Sequence, residues 1–188
     1  MKTIFKNTGI LLAITLVAAV ALSFVYQLTK QPIDEAAQKA KAEAYQQVYE
    51  EAKTFEEIEG AAAILKKYND SLPKGTVVEE VLCAVDAQGN PLGYVLTASS
   101  KGYNGDVRIA LGLDKNATVV GYAVLEQEES PGFGANCVNE DIRQQFLGIT
   151  SADQLDGITG ATITTTALKN STQAVIDLVK LLEGGEAV

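Results

Sequence analysis

The chain has 188 residues, 47% of them hydrophobic, with a formal net charge of −9 and no histidine. After Lys30 it holds 24 acidic and 12 basic residues, a net charge of −12 that would repel nucleic acid, so we exclude that class of partner. The absence of histidine excludes a Ser-His-Asp triad, and Cys83 and Cys137 alone cannot form a zinc or iron–sulfur site. We expect both cysteines to be free thiols, although their even number also allows a disulfide.

Residues 1–30 are predicted to form a short cytoplasmic tail and one transmembrane helix. Residues 9–28 are almost continuously apolar, and about 20 such residues are enough to cross a bilayer as a helix. No small-x-small cleavage site follows, so we favour an uncleaved anchor over a signal peptide. Lys2 and Lys6 precede the apolar run, whereas acidic residues follow Lys30. The positive-inside rule therefore predicts a cytoplasmic N-terminus and an extracytoplasmic domain at the cell membrane.

Residues 31–75 are predicted to form a helical stalk and a connector. Pro32 suits the first turn of a helix, and alanine with Glu, Lys and Gln dominates residues 36–52. The predicted helix reaches Tyr68, with a separation at Gly60. One stripe of this segment is apolar and could dock on the domain that follows: Tyr45, Val48, Tyr49, Ala52 and Phe55.

Residues 76–188 are predicted to form a single domain with an antiparallel sheet and flanking helices. Strands are expected at residues 76–85 and 91–99, joined by a turn, and at 106–114 and 117–126. A short helix is expected at residues 139–146, and a closing helix from Ile163 onward. An antiparallel meander with flanking helices implies the α+β class.

The stretch from Asp156 to Leu168 combines small residues with hydroxyl groups. Gly160 and Ala161 present almost no side chain, so the backbone there can approach a bulky ligand. Four threonines follow, ahead of a segment with helical periodicity. A loop of this kind that opens onto a helix N-terminus is an anion site, although threonines that cap a helix would give the same pattern.

The segment from Asp156 to Thr162, Asp-Gly-Ile-Thr-Gly-Ala-Thr, resembles the flavinylation motif of the FMN-binding domain family. That family includes the G subunit of the Rnf ferredoxin–NAD oxidoreductase and the C subunit of the sodium-pumping quinone reductase. The resemblance implies FMN attached through a phosphoester to Thr162 by a separate flavin transferase. It also places Thr159, Gly160 and Ala161 at the flavin, with Thr164 as the nearest alternative acceptor.

Residues 102–105, Gly-Tyr-Asn-Gly, read equally well as an ordinary turn or as part of the site. The segment from Lys101 to Leu113 resembles the family pattern Gly-Tyr-x-Gly followed by an alternating strand, in which the loop borders the flavin pocket. The resemblance implies that Tyr103 packs on or beside the isoalloxazine and that Asn104 hydrogen-bonds its polar edge.

Residues 128–134, Glu-Glu-Ser-Pro-Gly-Phe-Gly, resemble the family loop Glu-Thr-Pro-Gly-Leu-Gly, with Ser130 in place of threonine and Phe133 in place of leucine. A Pro-Gly-x-Gly turn holds backbone N–H groups rigidly, which suits a flavin carbonyl or phosphate. The residues expected to contact the flavin, with positive φ at Gly132, are Ser130, Pro131, Gly132 and Gly134.

Together the resemblance implies a membrane-anchored electron-carrier subunit of an Rnf-type complex with covalent FMN, rather than a complete enzyme. Its partners would be the other subunits of the membrane redox complex. The alternatives within the family are a C-type subunit of the quinone reductase and a stand-alone flavinylated carrier. The alternative from another class is a membrane-anchored assembly module without redox activity.

Overall fold

The computed structural model describes the backbone of residues 2–184 and their side chains, except those of residues 2–5 and 34. The chain divides into two compact units, Met1–Lys41 and Ala42–Val188. The side chain of Lys2, on which part of the predicted topology depends, lies outside the described residues. So do residues 185–188, the end of the segment predicted as the FMN-binding domain.

Helix α1 spans Lys2–Val48 and contains, from Lys6 onward, a segment long and apolar enough to cross a membrane. The large apolar side chains of residues 10–28 are exposed. The predicted start of a new helix at Pro32 is wrong, because Pro32 lies inside α1. A proline removes one backbone hydrogen bond, but the Ala, Gln, Glu and Lys residues after it are strong helix formers, and the helix continues to Val48.

The second unit contains a five-stranded antiparallel sheet in the order β1-β2-β3-β4-β5. The four strands predicted from alternation and turn residues are confirmed, each within three residues of its predicted bounds. The strands are β1 (Thr54–Glu57), β2 (Thr76–Val85), β3 (Pro91–Lys101), β4 (Asp106–Asp114) and β5 (Val119–Glu126).

The helix predicted to continue through Phe55 is wrong, because that segment forms β1. Phe55 lies opposite Ala84 in the ladder with β2, and its ring packs edge-on against Tyr45. Pairing along the edge of β2 outweighs the local helix propensity that the sequence shows. Helix α2 (Ala61–Asn69) then starts after Gly60, whose φ of 78° is the left-handed conformation that glycine adopts readily.

Both faces of the sheet are covered. One face carries the main core, where Leu96, Ile109 and Leu111 pack with the apolar face of helix α4 (Thr162–Gly184). Helix α2 and the short helix α3 (Glu140–Phe146) complete this layer. A second cluster of buried residues lies on the opposite face of the sheet. It contains four residues of the predicted docking stripe, and their burial confirms that the stripe packs on the domain: Tyr45, Val48, Tyr49 and Ala52.

Neither cysteine has a reactive thiol. Cys83 on β2 is half-buried, Cys137 is buried in the main core, and both are free cysteines. Burial raises the pKa of both thiols, that of Cys137 to about 11, so both are protonated at neutral pH and are poor nucleophiles.

Two glycines leave room for the end of α1 to pack on the sheet. Gly112 on β4 and Gly121 on β5 lie directly opposite each other in the ladder. A Cβ added at Gly121 would lie 2.5 Å from the Cα and carbonyl carbon of Val48, and one at Gly112 would meet the Val48 carbonyl oxygen. The backbone at Val48 can therefore lie on the sheet only because these positions lack side chains.

Replacement of Gly121 by alanine should therefore destabilise the fold, because the atoms it meets are backbone and cannot rotate away. We expect a loss of roughly 1–3 kcal/mol in the free energy of unfolding, the usual cost of overpacking. Thermal unfolding of the full chain in detergent, followed by circular dichroism, measures this loss. Gly184→Ala, at a helix end with no atom within 4 Å of the added Cβ, is the control and should leave the midpoint unchanged. Equal midpoints for both variants would contradict the role of Gly121.

Candidate functional site

Three segments meet at one end of the sheet and form a cavity of about 520 Å³, a size typical of cofactor sites. Residues 102–105 join β3 to β4, residues 127–133 follow β5, and residues 158–161 lead into α4. The cavity brings together seven of the residues predicted for the site: Tyr103, Ser130, Gly134, Gly160, Ala161, Thr162 and Thr164.

The other four predicted residues lie around this cavity rather than in its lining. The Asn104 side-chain amide donates to the Ser130 hydroxyl at 3.1 Å, so it ties the first loop to the second. Gly132 has the expected positive φ, 79°, which confirms its turn role. Thr159, Pro131 and Gly132 are exposed and outside the lining. Three lining residues were not predicted: Glu129, Phe133 and Ile163.

Glu129 connects the three segments. Its side chain is only 6% exposed, and Oε1 accepts the backbone N–H groups of Tyr103 and Asn104, each at 2.9 Å. Its Oε2 accepts the hydroxyl of Thr164, which is 1% exposed. Glu129 belongs to the third motif, in which flavin contacts were expected only from the residues after it. The signal was present, because a carboxylate stands at the fixed first position of that motif.

Two glycines leave room for this carboxylate. A Cβ on Gly102 would lie 2.7 Å from Glu129 Oε1, and one on Gly134 would lie 2.5 Å from Oε2. Any side chain at either position would displace the carboxylate from its hydrogen-bond donors. Gly102 and Gly134 are therefore required by packing against the carboxylate.

Hydrogen bonding keeps Glu129 ionised. Burial alone raises the pKa of a carboxyl group, because the charged form loses its hydration. The hydroxyl of Thr164 and the backbone N–H groups of Asn104 and Tyr103 outweigh that effect and hold the pKa of Glu129 below its usual value of 4.5. A negative charge is therefore part of the cavity wall at neutral pH.

The third segment turns sharply into α4. The Ala161 N–H donates to the Ile158 carbonyl at 3.0 Å, and Gly160 within this turn has a φ of 76°. A Cβ on Gly160 would lie 2.9 Å from the ring of Phe133, so this glycine also admits the second loop. Helix α4 begins at Thr162 and has no acidic residue in its first turn. Its free N–H groups and its dipole favour an anion at this point.

The four threonines of this region have different environments. Thr164 is buried and donates to Glu129, while Thr165 and Thr166 donate, each at 2.9 Å, to the carbonyl oxygen four residues earlier. Thr162 is exposed, lines the cavity and makes no side-chain hydrogen bond to any residue that the structure describes. Of the four hydroxyls, that of Thr162 is the one without a hydrogen-bond partner among the described residues.

The mouth of the cavity is apolar. Tyr103, Phe133 and Ile163 are 68%, 54% and 50% exposed, although large apolar side chains are usually buried. All three line the cavity. Such a rim suits a flat, largely apolar ring system, and the helix N-terminus at its base suits an anionic group.

Comparison with known proteins assigns this architecture. Residues 102–177 match the FMN-binding domain family model, and residues 1–48 match the model of the RnfG N-terminal region. The G subunit of the ion-translocating oxidoreductase complex of Aliivibrio fischeri (strain MJ11) is 31% identical, over 94% of this chain and 90% of its own length. The chain belongs to this family of G subunits. The resemblance seen in the three motifs is thereby confirmed.

Two further relatives agree. The G subunit of the ion-translocating oxidoreductase complex of Methanosarcina acetivorans is 28% identical over 97% of this chain and 98% of its own length. The G subunit of the Na⁺-translocating ferredoxin:NAD⁺ oxidoreductase complex of Acetobacterium woodii is 26% identical over 96% of this chain and 94% of its own length. Among solved structures, the C subunit of the Na⁺-translocating NADH-quinone reductase of Parabacteroides distasonis covers 84% of this chain and 96% of that chain, with 17% identity and a TM-score of 0.48.

Acid should weaken the fold through Glu129. Because its pKa is lower in the folded chain, its contribution is complete above the unfolded value near 4.5 and is lost as the pH falls through the lower folded value. The free energy of unfolding of the wild type should therefore fall more steeply with acidification than that of Glu129→Gln.

Urea unfolding at a series of acidic pH values measures both slopes. Glu128→Gln, which removes the exposed neighbouring carboxylate, is the control and should keep the wild-type slope. Equal slopes in the wild type and in Glu129→Gln would contradict the assignment.

Proposed function

We propose that this chain is the membrane-anchored electron-carrier subunit of an Rnf-type ion-translocating oxidoreductase complex and that it carries FMN on Thr162. The cofactor supplies the electron-accepting and electron-donating chemistry, while the protein binds and orients it and shields it from water. The partners in this proposal are the other subunits of the complex. The three relatives compared are all G subunits of such complexes, which favours this assignment over a C-type subunit or a stand-alone carrier.

The exposed hydroxyl of Thr162 carries the proposal. It lies at the first turn of α4 inside the cavity, and the structure engages the hydroxyls of Thr164, Thr165 and Thr166 elsewhere. Attachment would join Thr162 Oγ1 to the phosphorus of a flavin nucleotide. The bond from phosphorus to its leaving group would break, and the hydroxyl proton would depart with that group. A flavin transferase would supply the nucleotide.

The residues present fit FMN. The phosphate would lie against the N-terminal N–H groups of α4, where negative charge is favoured. Tyr103, Phe133 and Ile163 would contact the ring system, and Asn104 lies beside them with its amide on Ser130. The carboxylate of Glu129 is already satisfied by three donors, so it does not compete for those of the helix.

The proposed orientation places the N-terminus in the cytoplasm and the FMN-binding domain outside. The chain has one apolar helix long enough to cross a membrane, within the part that the structure describes. Lys6 precedes the apolar run, and acidic residues follow it. The positive-inside rule supports this direction.

Thr162→Val should abolish covalent flavin attachment. Co-expressed with a flavin transferase, the wild type should gain the mass of FMN minus water, and Thr162→Val should gain nothing, because valine has no hydroxyl. Thr164→Val is the matched control and should still be flavinylated, since the buried Thr164 hydroxyl is held by Glu129. Intact-mass and peptide mass spectrometry measure all three. Flavin on Thr164 in the Thr162→Val chain would contradict the assignment.

Lysines of the domain should be accessible from outside the cell. A membrane-impermeant amine label applied to cells stripped of their wall should reach Lys66 and Lys74, which are exposed. Lys6, on the cytoplasmic side of the apolar run, should be labelled only after lysis. Peptide mass spectrometry reads each position, and the reverse labelling pattern would invert the proposed topology.

A further inference from the structure

We infer that Glu129 is a positioning residue for the flavin and that its negative charge lowers the midpoint potential of FMN bound in the cavity. This inference rests on the proposed function, because it takes FMN to occupy the cavity. It adds a role for a residue whose side chain takes no part in the proposed attachment.

The positioning role follows from the three hydrogen bonds. Tyr103 is largely exposed, so its backbone has a large part in placing the ring at the cavity mouth, and that backbone N–H donates to Glu129. The same carboxylate holds Thr164, two residues after the proposed attachment site on the same helix. Glu129 therefore fixes the distance between a ring-contacting loop and the start of α4.

The electrostatic role of Glu129 follows from the neutral character of its hydrogen-bond donors. All three are neutral groups, two amides and a hydroxyl, and none of the ion pairs among the described residues includes Glu129. Neutral donors stabilise the carboxylate without cancelling its charge. Because the side chain is 6% exposed, water screens that charge poorly, and it acts on whatever occupies the cavity.

A fixed negative charge opposes the addition of electrons to a neighbouring group. Glu129 lines a cavity of about 520 Å³, so an occupant lies within about 10 Å of it, and at an effective dielectric constant near 20 one unit charge at that distance changes an equilibrium constant by roughly tenfold. When the flavin accepts two electrons from dithionite and one proton from water, it gains one net negative charge, and for this two-electron couple a tenfold change corresponds to about 30 mV. Removal of the charge should therefore raise the midpoint potential by about this amount.

Glu129→Gln separates the charge from the geometry. The glutamine carbonyl can accept the N–H groups of Tyr103 and Asn104, and its amide can donate to the Thr164 hydroxyl, so the three contacts can persist without the charge. Glu129→Ala removes both. Glu128→Gln is the matched control, because it deletes the same charge from the adjacent exposed side chain, where water screens it.

The experiment is spectroelectrochemical titration of the full flavinylated chains in detergent, with dithionite as the electron source and mass spectrometry to verify flavin on Thr162. Glu129→Gln should titrate about 30 mV above the wild type, equivalent to a tenfold change for two electrons. Glu128→Gln should match the wild type. Glu129→Ala should show, besides the raised potential, a changed flavin spectrum, because the Tyr103 loop is released.

The outcomes are distinct. Flavinylated chains in which Glu129→Gln and the wild type have equal potentials would overturn this inference and leave the proposed function intact. A wild-type chain with no flavin on Thr162 would overturn the proposed function and the inference with it. If Glu129→Gln does not fold or load, Thr164→Val tests the same claim. It keeps the charge and removes one donor, so its potential should not exceed that of the wild type, and a higher value would overturn the inference.

Discussion

The site depends on one buried carboxylate. Glu129 accepts hydrogen bonds from a loop between β3 and β4 and from the first turn of α4, and it belongs itself to the loop after β5. These segments are distant in sequence, and the two loops are short and contain glycine. A loop of that composition has much conformational freedom to lose, so it needs specific contacts to hold one shape. The carboxylate supplies them, and Gly102 and Gly134 leave the space in which it lies.

The rest of the domain places these loops. Antiparallel connections bring the loop between β3 and β4 and the loop after β5 to one end of the sheet. Helix α4 packs across the main core with its N-terminus at the same end. The end of α1 packs on the opposite face of the sheet, where glycines leave room for its backbone. The domain thus holds the cavity at one end through packed elements.

Much of the fold follows from local patterns. The two hairpins were predictable because alternating apolar residues and turn residues act over only a few positions. Helix α4 was predictable because its apolar residues recur at three- and four-residue intervals. The strand β1 was not, because Phe55 lies in a segment of helix-forming residues, and only pairing with β2 reverses that preference. Resemblance to the family singled out the three motifs and Thr162 as the proposed attachment residue. Glu129 could not be assigned from spacing, since its partners lie 25 to 35 residues away along the chain.

The most direct test of the account is flavin fluorescence of this chain after denaturing electrophoresis. The chain would be purified with the other subunits from a host that carries a flavin transferase, and the gel would be viewed under ultraviolet light before staining. Denaturation removes every non-covalent ligand, so only a covalent flavin would remain. A fluorescent band is expected at the 19.9 kDa of this chain. A stained but dark band at that position, with the complex intact before denaturation, would contradict it.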